Sequence, residues 1–182
     1  MNKIKHSVLL YLTISGILSG LIATSTGPRI ILAGVIFGFA FTTWIKRKSF
    51  PIKSENGFII GSTISMVVAW IVCFSLNMSI IDFSGASDPA TWIPSAFFAI
   101  AGAIGALGLG ITANKTIARI NDFYFFLLII CGGITGYVFG ALFFSAPQTG
   151  MVGLFGWQLI VGVILSESVR KSAISQSGFT TP

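Results

Sequence analysis

Charged residues are missing from the middle of every long apolar segment of this 182-residue chain. Asp, Glu, Lys and Arg make up only 9% of the sequence, and they fall in the gaps between those segments. A charge at the centre of a bilayer costs about 3 kcal/mol or more, so membrane spans exclude it. With 54% hydrophobic residues and a mean hydropathy of +0.91, the composition excludes an ordinary soluble domain and predicts an integral membrane protein.

Histidine is almost absent, since His6 is the only one and it precedes the first apolar segment. This excludes haem ligation and histidine-based metal catalysis by the chain alone, and no Ser–His or Cys–His pair can form within the membrane. The sequence has no phosphate-binding Gly-rich loop and no acidic pair inside an apolar segment. We therefore expect a non-enzymatic protein without a cofactor or a bound metal. The carboxylates Asp82 and Asp88 share a polar segment with little else to bind a cation, and we interpret them as solvated or paired with Arg29.

Cysteine is scarce, with Cys73 and Cys131 both inside apolar segments. On a helical membrane topology they differ in depth by about 9 Å. A disulfide needs Cα atoms about 5.5 Å apart, so we expect two free thiols packed among other side chains.

The apolar segments number six, and each is about 18–23 residues long, which as a helix matches a hydrocarbon core of about 30 Å. Helices are predicted because an isolated strand leaves backbone groups unpaired in lipid. The predicted fold class is an all-α integral membrane protein with six transmembrane helices. The predicted spans cover residues 8–25, 29–45, 58–77, 92–112, 123–145 and 150–166.

The membrane domain is predicted over residues 1–167, followed by a polar, disordered cytoplasmic tail over residues 168–182. We expect the first segment to remain as a span instead of being cleaved as a signal peptide. Prolines before the second, fourth and sixth segments favour three consecutive hairpins. Trp44, Tyr11 and Tyr124 lie near predicted span ends, where an aromatic belt is expected.

Basic residues are distributed unevenly between the two sets of connections, and cytoplasmic loops of membrane proteins carry an excess of Lys and Arg. With a cytoplasmic N-terminus, all cations except Arg29 lie inside. They are Lys3, Lys5, Lys46, Arg47, Lys48, Lys53, Lys115, Arg119, Arg170 and Lys171. Both termini are therefore predicted to be cytoplasmic, in the inner membrane of a bacterium. The net charge of +6 is explained in the same way, so the expected partner is the lipid bilayer and not nucleic acid.

Small residues recur at four-residue spacing in three of the apolar segments. On a helix this spacing places them on one face, where two backbones can approach closely. We expect them to pack helix on helix within the chain. The alternatives are contact with a second copy or with other membrane subunits, and a glycine-lined pore or substrate path. The residues are Gly34, Gly38, Gly102, Ala106, Gly110, Gly132, Gly136 and Gly140.

Uncharged polar side chains form the second pattern. Gln158 lies near the middle of the sixth segment, Thr135 and Tyr137 lie in the fifth, and Ser15 and Ser19 lie on one face of the first. Their predicted depths coincide roughly. A buried amide needs hydrogen-bond partners, so these residues are predicted either to bond helices together or to line a small cavity that binds a solute.

The sequence favours two functions, and a third, a lipid-modifying enzyme whose catalytic group the sequence does not reveal, remains open behind them. The first is a transporter-like bundle, or the membrane subunit of a transport complex, that handles a small uncharged solute. The alternative is an interaction or stress-related membrane protein that acts through helix packing and the basic loop Lys46–Lys53, with no substrate.

Overall fold

The computed structural model describes residues 2–23, 30–84, 92–145 and 150–176, and every regular element within these ranges is an α-helix. Each of the six predicted spans corresponds to one helix. In chain order the helices are α1 (Asn2–Ala23), α2 (Ile30–Arg47), α3 (Glu55–Ser84), α4 (Trp92–Thr116), α5 (Asp122–Ser145) and α6 (Gly150–Gln176).

Four of these helices are long and apolar enough to cross a membrane. The segments that meet both conditions are Glu55–Ser79, Ile93–Thr116, Asp122–Leu142 and Val152–Ser175, in α3 to α6. The helix α1 contains a shorter apolar stretch, Ser7–Leu21. The all-helical fold with several membrane-spanning helices, predicted from the composition, is therefore supported.

The helix α6 continues well beyond residue 167, where the membrane domain was predicted to end. Its last turns hold contacts that an isolated polar tail would lack. Arg170 donates to Glu167 at 3.0 and 2.5 Å, and the hydroxyl of Ser172 donates to the carbonyl of Arg119 at 2.6 Å. These bonds tie the polar end of α6 to itself and to the residues after α4, which explains why the helix reaches Gln176.

The helices pack in chain order, and α1 then closes the series by packing against α6. A smaller contact joins α4 to α6. One apolar core extends across all six helices, with fully buried side chains such as Leu12, Phe41, Leu109 and Leu165. Many large apolar side chains on the outer faces are exposed, as expected for helices that meet lipid and not water.

An aromatic cluster fills the core near the end of α2. Phe41 lies at its centre, with ring centroids 5.9 Å from Phe37, 5.5 Å from Trp44 and 5.4 Å from Phe58. Trp44 also meets Phe50 edge to face and is only 1% exposed. This differs from its expected place in an aromatic belt. Trp44 turns inward because a large ring buried among other rings gains contact area that an interfacial position does not offer.

The glycines of α4 and α5 let these two backbones approach more closely than side chains would permit. A Cβ added at Gly102 or at Gly136 would collide with a backbone carbonyl, of Gly132 and of Phe98 respectively. At Gly132 it would lie 2.5 Å from the Cβ of Ala106. The small residues of the two ladders therefore face each other within one chain.

The other ladder glycines also contact neighbouring helices of the same chain. A Cβ at Gly34 would lie 2.7 Å from the Cα of Thr63, and one at Gly38 would lie 2.9 Å from the Cα of Ile59. Gly110 makes room for the ring of Phe125. Because these faces are occupied by the chain's own helices, contact with a second copy would have to use another surface.

We predict that Gly136→Ala lowers the free energy of unfolding by about 1–3 kcal/mol, because the added methyl group must push α5 away from the Phe98 carbonyl. Gly156→Ala is the matched control, since a Cβ there meets nothing within 4 Å. That change should be neutral or slightly stabilising, because alanine favours helix. Unfolding in detergent measures both variants, and equal stability of the two would contradict the close approach of α4 and α5.

Candidate functional site

The side chain of Gln158 forms a buried hydrogen-bonded cluster where α1, α2 and α6 meet. Its Nε2 donates to the hydroxyl of Ser19 at 3.0 Å and to the carbonyl of Ala33 at 3.4 Å. Its Oε1 accepts a hydrogen bond from the hydroxyl of Ser15 at 3.1 Å. Ser19 itself donates to the Ala33 carbonyl at 3.5 Å. We call Ser15, Ser19, Gln158 and the Ala33 carbonyl the amide cluster.

The helical periodicity of each segment places these groups together. Ser15 and Ser19 are four residues apart, so both face α6 from the same side of α1. Gly162 lies one turn beyond Gln158, and a Cβ there would collide with Leu12. The missing side chain lets α1 and α6 come close enough for the hydroxyl groups to reach the amide.

Every polar atom of the Gln158 side chain has a partner within the cluster. Both N–H groups donate and the oxygen accepts, which satisfies most of the hydrogen-bonding capacity of an amide. The three side chains are at most 1% exposed. As described, the cluster is closed to solute and to solvent. Its polar groups are two hydroxyls, one amide and one backbone carbonyl.

The structure brings together Ser15, Ser19 and Gln158 but places the other two predicted site residues elsewhere. The hydroxyl of Thr135 donates to carbonyls of its own helix, Cys131 at 2.6 Å and Gly132 at 3.3 Å. Tyr137 is 43% exposed on the outer surface of the bundle. A similar predicted depth in the membrane therefore did not place these residues on a common face of the bundle.

Two partners in the bundle interior were not predicted from the sequence. One is the carbonyl of Ala33, which accepts from the amide cluster because α2 passes beside it. The other is the carbonyl of Gly102, which accepts from the indole Nε1 of Trp157 at 3.3 Å. Every residue has a backbone carbonyl, so the residue type does not indicate which carbonyl accepts a bond from another helix. The glycine at Gly102 is the one indication, because it exposes the carbonyl to a neighbouring helix.

The part of the chain that the structure describes contains no cluster of metal-binding side chains and no disulfide. Within these ranges no three His, Cys, Asp or Glu residues lie close enough to hold an ion. Cys73 and Cys131 are free, which confirms the prediction that they do not form a disulfide. Asp88 and Arg29, expected to be solvated or paired, lie outside the described residues.

Basic side chains gather where α2 ends and α3 begins, and some of them are paired. Lys46 forms an ion pair with Glu55 across this connection. Arg47 donates to the hydroxyl of Tyr11 at 3.0 Å. This hydrogen bond raises the pKa of the Arg47 guanidinium above its ordinary value, so the group stays charged. The connection therefore links α1, α2 and α3 through polar contacts at their charged ends.

Comparisons of the chain with protein-family models, with curated proteins and with solved structures give no match. The class of protein consequently rests on the residues themselves. The structure has the features of a multi-pass membrane protein. They are four apolar helices of membrane-spanning length, outer faces that expose apolar side chains, and a polar cluster buried within the bundle.

We predict that Gln158→Leu lowers the free energy of unfolding by about 1 kcal/mol, because hydrogen bonds between membrane helices are individually weak. Thr135→Val is the control, since it removes only bonds to its own helix and should have a smaller effect. Chemical unfolding in detergent compares the two variants. A Thr135→Val variant that loses as much stability as Gln158→Leu would show that the amide cluster does not hold helices together.

Proposed function

We propose that the chain is a small, non-enzymatic protein of the bacterial cytoplasmic membrane that serves as a membrane-embedded subunit of a larger assembly. Its role is to bind partner subunits, and the solute path of any transport lies outside it. The observation that carries this proposal is the closed amide cluster. The most polar side chain deep in the bundle has its partners within the chain and is 0% exposed, so it offers nothing to a passing solute.

The proposed topology is six spans arranged as three hairpins, with both termini cytoplasmic. Contacts between neighbouring helices support it because residue numbers pair in inverse order. Gly34 packs on Thr63, whereas Gly38, further along α2, packs on the earlier residue Ile59. The pairs α3–α4, α4–α5 and α1–α6 follow the same inverse order. Such pairing is what consecutive antiparallel spans produce.

The positions of the cations support the same topology. The amide of Lys53 donates to the carbonyl of Thr116 at 2.8 Å, which joins the connection after α2 to the end of α4. Ser172 donates to the carbonyl of Arg119, which joins the end of α6 to the same region. The basic connections thus lie at one end of the bundle, and the positive-inside rule assigns that end to the cytoplasm.

A second candidate function is the passage of a small uncharged solute, and one observation favours it. Two bonds of the amide cluster are long, at 3.4 and 3.5 Å, and both end on the Ala33 carbonyl. Movement of α2 would break these bonds first and would leave one N–H of the Gln158 amide and the hydroxyl hydrogen of Ser19 free to bind a solute. In this function the described arrangement is the closed state.

Reconstitution separates the two functions. Proteoliposomes containing the full-length chain are mixed with glycerol or urea, and their swelling is followed by light scattering. Gln158→Leu and Thr135→Val are tested beside the wild type. In parallel, the tagged chain is purified from membranes in a mild detergent, and the proteins retained with it are identified by mass spectrometry.

The subunit role predicts swelling no faster than in empty liposomes, together with a partner membrane protein retained in a fixed ratio. Gln158→Leu should then keep the partner. Swelling that exceeds empty liposomes and disappears in Gln158→Leu, but not in Thr135→Val, would replace the subunit role by solute passage.

The topology makes its own prediction. Reporter domains fused after Ile52, Ala86 and Ser175 should read cytoplasmic, external and cytoplasmic in that order. The two cytoplasmic results follow from the cations around Ile52 and Ser175. A cytoplasmic signal at Ala86 would overturn the hairpin arrangement.

A further inference from the structure

A groove lies at the charged end of the bundle, away from the amide cluster. It is formed by the connection between α4 and α5, the first turn of α5 and the last turns of α6, and it has a volume of about 660 Å³. This is within the range of about 300–1,000 Å³ typical of small-molecule sites. Its walls include Arg119, Asp122, Phe123, Ser168, Lys171 and Ser172. We call it the basic groove.

The backbone around the basic groove is held in place by hydrogen bonds with side chains and by buried apolar residues. The side-chain oxygen of Asn114 accepts from the amide of Ile120, and that of Asn121 accepts from the amide of Phe123 at 2.9 Å. Ile117 and Ile120 are buried beneath the connection. Ser172 fastens the end of α6 to the carbonyl of Arg119. The groove is therefore a formed feature of the fold.

The charges that face the groove are mainly positive. Arg119 forms no ion pair with a carboxylate of the described residues, and Lys171 lies over the ring of Tyr124, 5.1 Å from its centroid. The nearby Arg170 is already bonded to Glu167. Asp122 is the one carboxylate among the lining residues. Two cations against one anion leave the groove with an excess of positive charge.

A polar group without a partner borders the same groove. Ser168 lines it and is 1% exposed, and its hydroxyl has no hydrogen-bond partner among the described residues. Buried hydroxyl groups almost always have a partner, so this hydroxyl retains an unused donor at the wall of the groove. Rotation of the side chain would let the hydroxyl donate to a ligand oxygen held between Arg119 and Lys171.

We propose that the basic groove binds an anionic phosphate group, carried either by an acidic phospholipid or by a soluble phosphate compound. A phosphate supplies several acceptor oxygens for Arg119, Lys171 and Ser168. Phe123 is 66% exposed and Phe126 is 64% exposed on the adjoining face of α5, so an apolar chain can lie beside the charged group. Basic pockets at the cytoplasmic ends of membrane helices bind acidic headgroups in this way.

The test uses the purified full-length chain in detergent. Dioleoylphosphatidylglycerol, dioleoylphosphatidylcholine and inorganic phosphate are titrated separately, and native mass spectrometry gives an apparent Kd for each. Phosphatidylglycerol should bind more tightly than phosphatidylcholine. The double variant Arg119→Gln/Lys171→Gln should bind it about 30-fold more weakly, because each cation near the surface contributes a factor of about five. Lys171→Arg, which keeps the charge, should bind like the wild type.

Two further variants make the result specific to the groove. Lys48→Gln/Lys53→Gln removes the same charge from the same end of the bundle but outside the groove, and it should leave the Kd nearly unchanged. Asp122→Asn should tighten binding about fivefold, because it removes the one carboxylate that repels the ligand. All variants are first compared with the wild type by elution volume and melting temperature.

Each outcome decides the proposal. Groove-dependent binding of phosphatidylglycerol alone supports a lipid ligand, and groove-dependent binding of inorganic phosphate alone supports a soluble one. Equal weakening by the two double variants would show general attraction by surface charge and overturn the site. Equal affinity for phosphatidylcholine would do the same. The measurement involves no partner subunit and no flux, so its failure would leave the subunit role untouched.

Discussion

A polar group within hydrocarbon has no water to bond, and this constraint governs how the whole bundle is assembled. Most hydroxyl groups in the apolar helices satisfy it locally, by donating to a carbonyl three or four residues earlier. Thr42, Thr63 and Ser65 do so, at 2.9, 2.7 and 2.7 Å. Such residues need no other helix and say little about packing. The side-chain amide of Gln158 has two N–H donors and an oxygen acceptor, and its own helix does not supply partners for all of them. Its partners come from α1 and α2, so three helices meet around it.

The bundle therefore uses two different kinds of helix contact. The helices α4 and α5 meet through glycines, where dispersion forces between close backbones provide the attraction. The helices α1 and α6 meet through hydrogen bonds of the amide cluster, beside the gap left by Gly162. Added atoms should weaken the first contact, whereas loss of polar partners should weaken the second. The substitutions that destabilise therefore differ between the two sites: those that add volume at the first and those that remove polarity at the second.

Helix positions could be predicted from the sequence because the exclusion of charge from hydrocarbon acts on each residue separately. The position of Gln158 inside the bundle follows from the same argument. The grouping of Thr135 and Tyr137 with it does not, because a shared depth carries no information about which face of α5 turns inward. The burial of Trp44 was not predicted for a related reason, because it depends on the tertiary packing of Phe41 and Phe58. The basic groove combines residues from three separate segments, and no local pattern in any one of them indicates it.

One of the two packing partners of α1, the helix α6, is synthesised last. The hydroxyl of Ser15 donates to the side chain of Gln158, which lies 143 residues further along the chain. At about 5–20 residues per second, a ribosome needs roughly 7–30 s to synthesise that interval. Throughout this time the hydroxyl of Ser15 lacks its final acceptor, whereas Ser19 can already donate to the carbonyl of Ala33. The arrival of α6 supplies that acceptor and closes the series of helix contacts between α1 and α6.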